Sequence, residues 1–249
     1  MTAAADELVL DRTLKRGLKG PEVRRVQEWL SLHGFQVTPD EDFGPATELA
    51  VQRFQEKAGL KADGIVGPKT FARLVAPMVR TTSRMGPGKR SLGRLVVAYA
   101  KRHLSEHPRE VGGQNRGPWV RLYMDGHEGP EWPWCAGFAC YVLKQACRAK
   151  AAEPPITPSF SCDSLAASAQ QQGRFLAEGD AGARERVRRG CLFLKRRTPT
   201  DWEHAGIVVQ PLEEVFETIE GNTNDDGSRE GYEVCRRFRS YRSTDFVLI

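Results

Sequence analysis

Apolar positions recur at helical spacing through the first third of the chain and crowd into short runs through its last quarter. Val23, Val26 and Leu30 follow Gly20-Pro21; Ala50, Phe54 and Ala58 follow Gly44-Pro45; Phe71, Leu74 and Val75 follow Gly67-Pro68. Each set fits one face of a helix. Each helix opens on Gly-Pro, where the missing proline N–H would have no helical partner anyway and glycine is an acceptable cap. The three starts lie 24 and 23 residues apart, a weak internal repeat, with Pro39-Asp40 and Asp63-Gly64 marking turns between them. This pattern predicts a three-helix unit within residues 1–76.

Beyond it, Leu95 to Ala100 predicts a helix that His107-Pro108 ends. A second helix is expected from Cys135 to about Arg148, with Cys135, Phe138, Ala139, Val142 and Ala146 on one face. Strand-like runs follow at Leu192–Leu194, Ala205–Val209, Val215–Ile219, Glu233–Arg239 and Phe246–Ile249. Helices first and an antiparallel meander afterwards predict an α+β domain over 95–249. Residues 77–94, rich in Gly, Pro, Ser, Thr and basic side chains, are expected to be a flexible linker.

Charge sharpens this division. Lys and Arg number 37 against 32 Asp and Glu, yet residues 1–76 hold 11 of each sign and residues 95–249 hold 21 of each. The whole excess, five basic residues, falls in 77–94. Two formally neutral domains argue against nucleic-acid binding. No run approaches 18 apolar residues, so no membrane insertion is expected. The opening Met1–Glu7 has early acids and no apolar core of signal-peptide length, so the expectation is synthesis in the cytoplasm without a signal. All six cysteines lie after residue 134, with no C-x-x-C and no zinc-like Cys/His spacing; reduced thiols are expected rather than disulfides. His103 and His107, four apart, are read as an exposed helix face rather than a metal site, because Pro108 ends the helix there. Glu110 has no identifiable carboxylate partner for glycosidase chemistry.

Cys135 is the more promising candidate. It is the first residue of its expected helix, where the helix dipole favours a thiolate. His204 stands just before the apolar run Ala205–Val209, at a strand end from which a side chain can project into a cleft. A following strand ends in Ile219-Glu220-Gly221-Asn222. In a hairpin, Glu220 and Asn222 share a face, and either could orient the imidazole. A cysteine, a base and an orienting group are what nucleophilic catalysis requires. Trp132, Trp134 and Trp202 flank these motifs, either as walls of a substrate groove or as core.

Two resemblances give these patterns a meaning. Leu14-Lys15-Arg16-Gly17, Val23 to Leu30, Asp42-Phe43-Gly44-Pro45-Ala46-Thr47, Val51 to Gln55 and Ala62-Asp63-Gly64-Ile65-Val66-Gly67-Pro68-Lys69-Thr70 resemble the small helical peptidoglycan-binding domain of cell-wall hydrolases. Trp132 to Phe138, Glu203 to Val208 and Ile219 to Asn222 resemble the three motifs of the CHAP family of papain-like amidohydrolases, which cleave peptidoglycan amide bonds. Glu110 to Asn115, with Tyr123, is similar to the stretch before the cysteine in family members. The likeness covers about 110–146 and 188–224 and leaves 150–187 unplaced. The related NlpC/P60 group usually places another histidine third, so Glu-x-Asn favours CHAP.

By this resemblance Cys135 is the nucleophile, His204 the base, Glu220 the orienting acid and Asn222 a further polar partner, with Gln114 as a second oxyanion donor. The implied protein is a monomeric, endolysin-like peptidoglycan hydrolase of bacteriophage type, acting on the wall after release. N-acetylmuramoyl-L-alanine amidase is the favoured activity; an endopeptidase delivered as a bacterial toxin and a non-catalytic wall-binding protein are the alternatives. Some family members hold calcium in an acidic loop. Here Asp125, Glu128 and Glu131 are the only acids in 111–134, thin for a site needing six or more oxygens, so no metal and no cofactor are expected, with calcium as the lesser alternative. Where many members have Gly-Asp, this chain has Gly190-Cys191, and Cys191 is expected in the core.

Overall fold

A computed structural model describes residues 3–224 and 231–249. The chain divides into two compact units. One comprises the residues up to Thr82 together with Arg109–Trp132; the other comprises Ser83–Pro108 and Pro133–Ile249.

The first unit contains α1 (Ala3–Leu8), α2 (Pro21–Leu32), α3 (Pro45–Lys57), α4 (Pro68–Leu74), α5 (Ala76–Thr82) and, from the later segment, a helix at Pro118–Tyr123. The three Gly-Pro starts each open a helix with proline in its first turn, as the pattern predicts. Val23, Val26, Leu30, Phe43, Val66 and Leu74 are fully buried at their centre. The weak sequence repeat has a physical counterpart in two buried glutamines. The amide nitrogen of Gln27 reaches Asp40 Oδ1, the Asp42 carbonyl and Thr47 Oγ1 at 2.7, 3.0 and 2.9 Å, while its oxygen accepts the Glu41 N–H. Gln55 does the same with Asp63 Oδ1, the Ile65 carbonyl and Thr70 Oγ1 at 3.1, 2.9 and 3.0 Å, and accepts the Gly64 N–H. In each case one buried amide ties a helix to the loop and the first turn of the next helix. Full satisfaction is what makes such a group tolerable in a core.

Two expectations change in this unit. Residues 77–94 are not one flexible tether: α5 packs with α1 and α4, with Met78 and Thr81 fully buried. Nor does everything from 95 onward belong to one domain. The segment 109–132 packs with the N-terminal helices, where Trp119 meets Trp29 edge-on at 5.8 Å. In the same segment Arg121 pairs with Glu7, with Glu28 at 2.7 Å and with Glu128 at 2.8 Å. Hydropathy spacing alone carries no signal for such a return of the chain.

The second unit contains α6 (Leu92–Ser105); with the Pro118–Tyr123 helix numbered α7, it continues with α8 (Cys135–Lys150), α9 (Cys162–Gln171) and α10 (Ala183–Arg186). Its strands are β1 (Phe175–Leu176), β2 (Leu192–Thr198), β3 (Asp201–Pro211), β4 (Val215–Thr223), β5 (Glu233–Ser240) and β6 (Thr244–Val247). They form one antiparallel sheet in the order β1-β6-β2-β3-β4-β5. The α+β class holds, and β2 to β5 is the expected meander. However, β6 does not extend it: the chain returns to pair with β2, and β1 adds the outer edge. Helix α8 packs against α6, β3 and β4. Gly221 makes that approach possible, since a Cβ there would lie 2.7 Å from both Trp134 and Phe138. Cys191 is buried with Phe193, Val208, Phe216 and Phe246, the core role expected for it. Among the described residues no helix is long and apolar enough to cross a membrane.

Candidate active site

Cys135 is the first residue of α8, which has no side-chain cap. The opening N–H groups of a helix lack intrahelical partners, so they present positive charge toward the sulfur. His204, on β3, hydrogen-bonds the Cys135 sulfur, and the Ala205 N–H also points at it. The Nε2 of His204 lies 2.8 Å from Glu220 Oε2. That leaves Nδ1 as the ring nitrogen that faces the sulfur.

Glu220 is completely buried. A carboxylate without water must be matched by donors, and three residues supply them. Besides His204, Arg239 on β5 grips it in a fork, with Nε 2.9 Å from Oε1 and Nη2 2.6 Å from Oε2, and Thr218 donates its hydroxyl to Oε1. Gly206 makes room for this arrangement: a Cβ there would stand 2.6 Å from the Phe193 ring and 2.9 Å from Glu220 Cγ.

The electrostatics follow from these contacts. Burial pushes the Glu220 carboxyl up, but the hydrogen bonds from Arg239 and His204 outweigh it and bring the group to about 2. Burial likewise opposes charge on His204, yet the Cys135 sulfur and Glu220 together raise it to about 10. The Cys135 thiol is held well below its usual range, first by a hydrogen bond from Cys162 and then, against burial, by the imidazolium. These contacts favour a thiolate–imidazolium pair anchored on an ionised glutamate.

The sulfur of Cys162, first residue of α9, lies 3.9 Å from that of Cys135. Ser161 caps α9 by accepting the Ser164 N–H, and Asp163 Oδ1 accepts the backbone N–H of Trp202 at 2.8 Å. This contact comes from the stretch 150–187 that the sequence motifs leave unplaced.

Cys135, His204 and Glu220 thus come together. Asn222 does not join them. The pairing of β4 with β5 shifts between Glu220 and Thr223, and Asn222 sits in this irregularity at φ 52°, so strict strand alternation fails there. Its Oδ1 is buried without a hydrogen-bond partner among the described residues. Trp134 does not wall a groove: it is fully buried beside Gly221. Trp202 is half-buried, its Nε1 bonded to Asp245 at 2.8 Å and its ring edge-on to Phe175. Gln114 and Trp132 belong to the first unit, the former exposed in a turn and the latter stacked on His127 at 4.1 Å. His103 is no exposed helix residue; it is buried, bonded to Gln145 at 2.9 Å, and burial lowers it to about 4. Glu110 accepts the Asn115 N–H and so closes a loop. Glu128, in the acidic stretch weighed for calcium, is engaged by Arg24, Arg116 and Arg121. Among the described residues no three His, Cys, Asp or Glu side chains gather as a metal-holding group.

Sequence reasoning missed Arg239, Thr218 and Cys162. Thr218 could have been found, because it lies two residues before Glu220 on one strand and so shares its face. Arg239 needs the β4–β5 register, and Cys162 needs the tertiary packing of α9.

Comparison with known proteins bears on the first unit. Residues 19–74 match a family model described as a putative peptidoglycan binding domain. A zinc D-Ala-D-Ala carboxypeptidase of Streptomyces albus G is 44% identical over 82 residues, 29% of this chain and 32% of the relative. A probable N-acetylmuramoyl-L-alanine amidase of Bacillus licheniformis is 42% identical over 66 residues, 25% of this chain and 19% of the relative. A spore cortex-lytic enzyme of Bacillus cereus is 39% identical over 70 residues, 28% of this chain and 27% of the relative. The chain thus spans a third or less of each of these curated relatives. Their names describe different cell-wall hydrolases, and what residues 19–74 bring to this chain is a helical peptidoglycan-binding domain.

Proposed function

We propose that the second unit is a CHAP-type cysteine amidohydrolase that cuts an amide bond in the peptide stem of the peptidoglycan to which residues 19–74 bind. The observation that carries this reading is the Cys135–His204–Glu220 relay, in which a buried, doubly gripped carboxylate keeps the imidazole charged beside a thiolate. The Cys135 thiolate attacks the amide carbonyl. The oxyanion that develops is met by the Cys135 backbone N–H at the start of α8. His204 gives its Nδ1 proton to the leaving amine, then takes a proton from the water that hydrolyses the thioester. Glu220 stays ionised throughout and fixes the ring. The linked binding domain raises the effective concentration of wall substrate without touching this chemistry.

The favoured bond is that of an N-acetylmuramoyl-L-alanine amidase in an endolysin-like lytic enzyme. One of the relatives carries the name of a probable amidase of this kind, matched across 19% of its length. Cys135→Ala is the test. Turbidity clearance of a peptidoglycan suspension should fall by about four orders of magnitude or more; clearance at the wild-type rate would make the second unit non-catalytic. Mass spectrometry of the released muropeptides then assigns the bond. Free L-Ala amino termini mark an amidase, and new termini inside the stem or bridge mark an endopeptidase.

A further inference from the structure

All six cysteines are buried and none is in a disulfide, but Cys162 has a direct tie to the relay. Its sulfur lies 3.9 Å from that of Cys135. Both residues open helices, Cys135 at the start of α8 and Cys162 at the start of α9. Two helix N-termini therefore converge on one pair of sulfurs, each favouring negative charge there. The two residues keep exposed fractions of 5% for Cys135 and 8% for Cys162, so the pair lies near the surface of the unit. A thiolate in such a setting is the form that reacts with peroxides, and a neighbouring thiol is what intercepts the product.

We infer that Cys135 and Cys162 form a site of reversible oxidation, at which a hydroperoxide converts the nucleophile into a Cys135–Cys162 disulfide that a dithiol reopens. The steps balance. The Cys135 thiolate attacks one peroxide oxygen, the O–O bond breaks, and sulfenic acid forms with release of hydroxide. The Cys162 thiol then attacks the sulfenic sulfur, forming the S–S bond and expelling water. Two thiols lose two electrons and two protons, and one hydrogen peroxide becomes two waters. Closing the bond needs the sulfurs to approach from 3.9 Å to a covalent distance of about 2 Å. Both lie in first helical turns, where rotation about χ1 moves the sulfur while the rest of the helix stays in place. While the disulfide exists no nucleophile is available. Cys162 also stops the sulfenic acid from advancing to the irreversible sulfinic form. The chemistry of the pair rests on its geometry, whereas its effect on turnover rests on the function proposed above.

The experiment treats the reduced full-length protein with hydrogen peroxide, then divides it. One half is alkylated, digested and mapped by mass spectrometry; the other is treated with dithiothreitol and assayed on peptidoglycan. The expected result is a Cys135–Cys162 cross-linked peptide and recovery of most of the initial clearance rate. Cys162→Ala, normalised to its own untreated rate, should recover about tenfold less, with sulfinic acid on Cys135. Peroxide-treated wild type with Cys135 in the sulfinic form and no cross-linked peptide would overturn the inference. So would full dithiothreitol recovery of Cys162→Ala. Because the cross-link is read by mass, its presence in a protein that never clears peptidoglycan would sink the proposed function and leave the oxidation site standing.

Discussion

Arg239 offers the sharpest quantitative test of how the relay is held. Replacing it with methionine keeps the bulk of the stem and removes the fork on Glu220. The carboxylate has no exposed surface and the arginine side chain is 29% exposed, so the pair is mostly shielded from water. Breaking a buried pair from one side costs about 3–5 kcal/mol when the remaining charge is left alone. Here His204 and Thr218 stay on Glu220, so the expected loss is smaller, about 2–4 kcal/mol. For a chain of this size a loss near 3 kcal/mol corresponds to about 6–12 °C in Tm. Urea unfolding followed by fluorescence gives the free energy, and hydrogen exchange at β3 to β5 places the loss in the second unit. The pH dependence has a definite sign. Glu220 is held at about 2, below its ordinary value of 4.5, so its contribution is complete above that value and disappears as pH falls toward 2. The gap between wild type and Arg239→Met should therefore narrow over that interval. Adding Glu220→Gln should remove much of the arginine's effect, with a coupling energy of about 1.5 kcal/mol or more. A variant within about 0.5 kcal/mol of wild type, or a gap that is the same at pH 7 and pH 3, would refute the reasoning.

Three further outcomes are expected. Because Cys135 is held well below the usual thiol range and His204 at about 10, clearance should vary by no more than about threefold from pH 6 to pH 8 and fall as pH rises through 10; in Glu220→Gln the alkaline fall should move to lower pH, and an unmoved limb would show that Glu220 does not sustain the imidazolium. Gln55→Ala strands the Gly64 N–H and the Ile65 carbonyl and should destabilise the first unit by about 2–3 kcal/mol in urea, with peptidoglycan pull-down weakening in step. Gly206→Ala puts a methyl 2.6 Å from the Phe193 ring and 2.9 Å from Glu220 Cγ, so turnover should drop about tenfold or more while wall binding persists; undiminished clearance would mean the carboxylate is less tightly placed than its contacts imply.

Periodicity made the helices and most strands legible because their burial repeats at 3.6 or 2 residues. Pro21, Pro45 and Pro68 open helices where they were expected to, and Cys135 does begin α8. The His204–Glu220 contact followed from placing both on adjacent strands. Asn222 went astray for a local reason, a break in strand pairing that leaves it at positive φ, which alternation cannot see. Trp134, open between groove wall and core in the sequence, packs in the core beside Gly221, and His103, expected on an exposed helix face, is buried against Gln145. The return of β6 to β2, the fork of Arg239 and the approach of Cys162 all depend on which distant segments meet. No count along the chain encodes that directly.

The path of the backbone through the two units limits how this protein can be cut and recombined. The chain crosses from one unit to the other after Thr82, after Pro108 and after Trp132, so neither unit is a single continuous stretch. A truncation at residue 76 or 94 would leave α7 behind without its partners. Trp119 would lose Trp29, and Arg121 would keep Glu128 while losing Glu7 and Glu28. The fragment would carry an exposed tryptophan and an under-matched guanidinium, both of which favour aggregation. Moving the first unit of this chain to another protein therefore has to transfer the 109–132 segment as well, so it travels only as two pieces together.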